Sequence, residues 1–207
     1  MMCWNCIQQT MYCGISKVKC MNGNEKFYFN NLDLEFGMLE FWQTKFSDVY
    51  NIQEYMAEFL VERALGIKKS LNTESWTLFD ILYNDYRIEI KQTGYYHPWN
   101  KEGKISQVRR FGITKAYSKN GKSDDVLYER QNDIYVFCLN KGQTKETSNP
   151  LNVNNWEFYV IPTKVINEKC NNYKSIGLEK VRKLTKAISY DEIKETIDRI
   201  IEIDKLL

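Results

Sequence analysis

Asp80, Glu89 and Lys91 are the residues of this 207-residue chain whose types and spacing could carry chemistry. They lie in the run Trp76-Thr77-Leu78-Phe79-Asp80-Ile81-Leu82-Tyr83-Asn84-Asp85-Tyr86-Arg87-Ile88-Glu89-Ile90-Lys91, which reads as two β-strands around a tight turn. Asn84-Asp85 suits a two-residue turn, because both residue types tolerate positive φ. Tyr83 then pairs with Tyr86, Leu82 with Arg87, and Asp80 with Glu89. Cross-strand partners stand about 4.5–5.5 Å apart at Cβ, and Lys91 projects from the face of Glu89 because strand side chains alternate. The opposite face carries Phe79, Ile81, Ile88 and Ile90. Two carboxylates held this close repel unless a positive charge lies between them, and either a divalent cation or Lys91 itself supplies one. A surface ion pair of Lys91 with its neighbouring acid, worth at most about 1 kcal/mol, is the competing reading of the same residues.

The flanking sequence supplies elements to position this hairpin. From about Tyr50 to Leu65 the pattern is helical, with Ile52, Tyr55, Met56, Phe59, Leu60, Val61, Ala64 and Leu65 apolar and Gly66 placed as a stop. Its polar stripe stacks Glu54, Glu58 and Glu62 at spacings of four, an arrangement that a nearby cation would favour and that also fits a face turned to water. Asp133–Leu139 and Trp156–Ile161 have strand character, the second closed by Pro162, and the polar stretch 140–155 reads as an exposed loop. The segment from Ile105 to Ala116 fits either a strand or a helix. A short helix opens at Pro162-Thr163, and another spans about Leu178 to Ala187. Ser189 and Glu192 have capping-box spacing before a last helix with Ile193, Ile197, Ile200 and Ile201 on one face. This order predicts an α/β sandwich, a mixed β-sheet flanked by helices.

A chain of this length makes one domain, 46–207, preceded by an N-terminal extension, 1–45. Fourteen Tyr, 10 Phe and 5 Trp supply core. No apolar run approaches the ~20 residues of a membrane span, and the start lacks the order of a secretory signal, so a cytoplasmic location without membrane attachment is expected. The net charge of +2 conceals segregation. Gly94 to Lys122 holds seven basic residues against Glu102, whereas Asp33 to Glu62 holds seven acids against Lys45. A basic segment beside a carboxylate hairpin, with Tyr95, Tyr96, His97, Trp99 and Phe111 among its cations, suits an approaching phosphate backbone. Lys104, Gln107, Arg109, Arg110 and Lys115 are the expected nucleic-acid contacts, with a solvated loop as the alternative. His97 is the only histidine, so histidine-based schemes have one residue to use. Cys3, Cys6, Cys13 and Cys20 could hold a structural Zn²⁺ through four thiolates. The later pair does not repeat the tight Cys-x-x-Cys spacing, which favours the competing readings: unligated thiols, or an extension upstream of a later start at Met21 or Met38. Cys138 and Cys170 read as isolated buried or half-buried residues.

Glu58 within Ala57-Glu58-Phe59-Leu60-Val61, then Asp80, then Glu89-Ile90-Lys91 resembles, in that order, the PD-(D/E)XK nuclease superfamily, and the resemblance covers about Tyr50 to Ile161. Phe79 stands where that superfamily commonly has proline, and the Asp-to-Glu separation is short. The resemblance implies a restriction-endonuclease-like core and a Mg²⁺- or Mn²⁺-dependent nuclease, an endonuclease hydrolysing DNA in restriction or defence. It implies Asp80, Glu89, the Ile90 carbonyl and Glu58 as the metal shell, and Lys91 as the residue that orients water and stabilises developing charge. Gln92 points to the other strand face and stays outside that shell. A double-strand cut commonly takes two active sites, so a homodimer is a further expectation. The alternatives are a catalytically silent nucleic-acid-binding or assembly module of the same fold, and an unrelated α/β domain with a surface ion-pair cluster.

Overall fold

The computed structural model describes residues 22–46, 52–68, 79–97, 106, 109–119 and 126–206. The chain divides into two compact units, residues 1–47 and 48–207. In the first, β1 (Lys26–Phe29) and β2 (Leu32–Gly37) form a hairpin through Asn30 and Asn31, both at positive φ, and α1 (Met38–Lys45) follows. The four cysteines at 3, 6, 13 and 20 lie outside the described residues.

The second unit is built on the mixed sheet β3-β4-β8-β9. Its strands are β3 (Ile81–Tyr83), β4 (Tyr86–Gly94), β8 (Ile134–Asn140) and β9 (Trp156–Pro162). β3 and β4 are antiparallel with Tyr83 opposite Tyr86 and Leu82 opposite Arg87, and Asn84 (φ 51°) and Asp85 (φ 68°) make the expected positive-φ turn. β4 runs parallel to β8, and β8 antiparallel to β9. All seven residues of β8 are buried, as a strand covered on both faces requires.

Each face is covered by helices. On one side α2 (Gln53–Ala64) and α5 (Ile193–Lys205) pack Ala57, Val61, Ile193, Ile197 and Ile201 against Ile81, Ile88, Ile90, Val136 and Phe158. On the other, α3 (Thr163–Cys170) and α4 (Leu178–Leu184) contribute Ile166, Cys170, Leu178 and Val181 against Tyr135, Phe137, Tyr159 and Ile161. Each fully buried Ile or Phe side chain contributes about 1.5–3 kcal/mol. Gly66 ends α2 at φ 77°, with its N–H on the Arg63 carbonyl and the Ile67 N–H on Glu62, as a left-handed cap requires. The capping box of Ser189 and Glu192 forms as its spacing predicts.

The fold resolves one segment that the sequence left open and departs from the sequence reading in two places. The segment from 105 to 116 contributes β5 (Arg110–Gly112), which pairs with β10 (Ser175–Gly177). It then leads into β6 (Ala116–Lys119), which forms a separate two-stranded ribbon with β7 (Val126–Glu129). The stretch 140–155 is only partly exposed: the Asn140 amide donates to the Ser148 carbonyl, its oxygen accepts from Gly142 N–H, and Asn140, Gly142 and Ser148 are buried. Side-chain bonds to the backbone fold this polar segment onto itself, which its composition alone conceals. Finally α4 stops at Leu184, where Thr185 turns extended.

Candidate functional site

Where β3 ends, the hairpin changes character. Asp80 N–H still donates to the Ile88 carbonyl at 3.0 Å, but Ile90 N–H donates at 2.6 Å to Oδ2 of Asp80 instead of to a main-chain carbonyl. The Asp80 carboxylate therefore takes the place of the next β3 residue at the edge of β4. A strand residue presents its N–H and C=O to the same neighbouring strand, so the Ile90 carbonyl faces the edge that Asp80 occupies.

Glu89 and Lys91 stand in register with Tyr135 and Phe137 and share their face of the sheet, while Ile88, Ile90 and Gln92 face α2. Lys91 Nζ lies 2.5 Å from Oε1 of Glu89, with both side chains largely covered. Glu58 approaches from α2, so one acid comes from each side of the sheet and Asp80 sits at the edge. Of the residues singled out from the sequence, Glu58, Asp80, Glu89, Ile90 and Lys91 thus converge.

The charges in this group act on one another. Burial, the Asp80 and Glu54 carboxylates and, more weakly, Glu62 push Glu58 up to about 7, against the lowering effect of Lys91. Burial also raises Asp80, although the bond from Ile90 N–H and the Lys91 charge oppose it. Glu89 is raised by burial and by Asp80 against the pull of Lys91. Burial works against the Lys91 ammonium, but Glu89, Asp80 and Glu54 outweigh it and hold the lysine above its ordinary value. Four carboxylates thus surround one ammonium, and the cluster is under-neutralised when all of them ionise. Hard oxygen donors with unbalanced negative charge fit a divalent cation such as Mg²⁺. With Glu89 turned to Lys91 and Asp80 to Ile90 N–H, no group of three or more His, Cys, Asp or Glu among the described residues is arranged to hold a metal outright. Ligation would require Glu89 to share its charge between Lys91 and the cation.

Two details were left open by the sequence. Glu54 joins the electrostatic group beside Lys91, one of the two outcomes that its place in the acidic stripe allowed. Gln92 Nε2 donates to Oε1 of the buried Gln53 at 2.8 Å, tying the strand of Lys91 to the helix of Glu58. The strand alternation that turns Gln92 from the acids points it at α2.

The basic segment is described in part. Lys104 and Gln107 lie outside the described residues. Arg109 stacks its guanidinium 4.3 Å above Tyr95 and donates through Nη1 to the Ser106 carbonyl, while its buried Nε has no partner among the described residues. Tyr95 follows Lys91 and Thr93 in the strand alternation. Arg110 is exposed and bonds Ser175 through Oγ and the carbonyl. Lys115 is half-buried, as is His97, whose imidazole is lowered by burial. Among the described residues no helix is long and apolar enough to cross a membrane. No family model, curated protein or solved structure matches this chain.

Proposed function

We propose that unit 48–207 is a divalent-metal-dependent nuclease of the PD-(D/E)XK type that hydrolyses phosphodiester bonds of DNA, as an endonuclease in restriction or defence. The observation that carries this reading is the convergence of Glu58, Asp80 and Glu89 around Lys91 at the point where Asp80 replaces the β3 backbone beside Ile90.

Asp80, Glu89, the Ile90 carbonyl and Glu58 would hold Mg²⁺ or Mn²⁺. A cation bound there supplies Lewis-acid polarisation of the phosphoryl oxygen and a water of lowered pKa. The chain's own groups do the rest. Lys91, kept protonated by Glu89, Asp80 and Glu54, offers a compact positive charge to the non-bridging oxygens as negative charge develops on the phosphate. Glu58, pushed up to about 7 in the metal-free chain by burial and its acidic neighbours, would release its proton as the cation binds and serve as a carboxylate ligand. Arg109, held by Tyr95 on the face of Lys91, supplies a planar donor for a phosphate further along the strand.

The test is incubation of the purified chain with long unmodified DNA in Mg²⁺ or Mn²⁺, beside Lys91→Ala and an EDTA control. Cleavage lost in both controls supports the reading. Binding without cutting on unmodified, methylated and single-stranded DNA would leave a silent binding module instead.

A further inference from the structure

The β6–β7 ribbon stands apart from the four-stranded sheet. A free-standing two-stranded ribbon is marginal in water, yet this one is firmly rooted. Arg130, directly after β7 and only 5 % exposed, donates through Nε to the Ile113 carbonyl at 2.9 Å, just before β6. Its Nη1 bonds Asn167 Oδ1 at 2.7 Å, and Nη2 reaches the Tyr173 carbonyl at 3.1 Å. One buried guanidinium thus clamps both limbs to the end of α3.

Beyond this root the ribbon exposes an aromatic pair. Tyr117 and Tyr128 are cross-strand partners with ring centroids 4.6 Å apart and planes 36° from parallel, and they are 71 % and 49 % exposed. Large, stiff rings on an anchored arm cost little entropy to bind with. From Arg109 to Lys122 the sequence carries five cations and no acid, and because Arg130 is buried in the root, residues 109–129 present these five cations against Asp124, Asp125 and Glu129. The partner must therefore offer flat apolar faces together with negative charge, and nucleic acid does both. Within a duplex the base faces are occupied by stacking and only edges are presented, whereas unpaired bases offer their faces to aromatic rings.

We propose that the β6–β7 ribbon is a nucleic-acid contact arm whose Tyr117–Tyr128 pair stacks on unpaired bases, so that the substrate class of this chain includes single-stranded or locally unpaired DNA. The arm rests on the nucleic-acid part of the reading above and not on hydrolysis.

The test is fluorescence anisotropy of the full chain with a labelled oligothymidine and with a duplex of equal length, both in EDTA. Tyr117→Ala and Tyr128→Ala should each weaken oligothymidine binding about tenfold, the scale of one lost base stack. Tyr117→Phe, which keeps the ring, should stay within about twofold, as should every variant on the duplex. The pair is exposed, so thermal midpoints should not move. Unchanged oligothymidine affinity in the double alanine variant overturns the proposal, as does equal loss on both probes or absence of binding by the parent chain. Sedimentation showing a dimer that Tyr117→Ala dissociates also overturns it, because a second copy would then cover the rings. Chelation removes cleavage from the readout, so failure to cut in Mg²⁺ counts against the nuclease alone while selective binding still supports the arm.

Discussion

Replacing Glu58 by Gln should make the metal-free protein more stable, and only above mildly acidic pH. The native Glu58 carboxyl keeps its proton up to about 7, against an ordinary value of 4.5, so between those limits the folded state binds more protons than the unfolded one. Stability from this group is therefore fully present below 4.5, declines as pH rises, and is lost above 7. A displacement of that size corresponds to about 3 kcal/mol at 1.36 kcal/mol per pH unit. Glu58 is only partly buried, and solvent screening reduces this to about 1–2 kcal/mol. Glu58→Gln has no charge to suppress, so its advantage over the parent should be absent near pH 4, grow through the window, and level off at about 1–2 kcal/mol above pH 7. In a unit of this size that is roughly 3–6 °C in the thermal midpoint. Urea unfolding in EDTA across pH 4 to about pH 8 reads the difference directly. Saturating Mg²⁺ should then stabilise the parent more than the variant, because ligand binding adds to stability by mass action. A variant less stable than the parent at pH 8, or a gain that does not depend on pH, would refute the electrostatic account of the cluster.

Other perturbations probe separate parts of the structure. Lys91→Ala should lower cleavage at least about 10²-fold while leaving DNA binding in EDTA nearly intact, measured by single-turnover hydrolysis beside anisotropy. Gln92→Ala strands the amide oxygen of buried Gln53 and should cost about 1–3 kcal/mol by urea unfolding; Gln53→Ala together with Gln92→Ala should cost less than the sum of the singles. At Gly142 an added Cβ would lie 2.1 Å from Ser148 Cα and 2.4 Å from the Thr147 carbonyl. Gly142→Ala should therefore destabilise by about 1–3 kcal/mol and loosen the 140–155 segment in hydrogen exchange.

The hairpin register was legible because two residues that accept positive φ sit between strictly alternating strands. Helix α2 was legible because its apolar periodicity runs unbroken to Gly66. The position of the Asp80 carboxylate was not. Alternation places it on the Glu89 face, but the end of β3 turns it onto Ile90 N–H at the sheet edge, an outcome of tertiary geometry rather than of spacing. Glu54 was visible only as part of an acidic stripe, because nothing in helix periodicity says how close Asp80 will come. The β6–β7 ribbon was hidden because four-residue strands of mixed polarity carry too little pattern, and its anchor, Arg130, belongs to a buried network of main-chain carbonyls that leaves no signature in sequence.

The two-residue turn at Asn84-Asp85 has a consequence for how this chain can diverge. Because successive strand residues alternate between faces, adding or deleting one paired strand residue between Asp80 and Glu89 would move the aspartate away from Ile90 N–H and bring a neighbouring apolar side chain into its place. The interval between the two acids is thus quantised: descendants of this chain can lengthen the hairpin by pairs of residues, or by one residue with a compensating bulge. Drift in steps of two would keep the aspartate at the end of β3 beside Ile90 N–H, and single-residue steps would appear only together with a bulge.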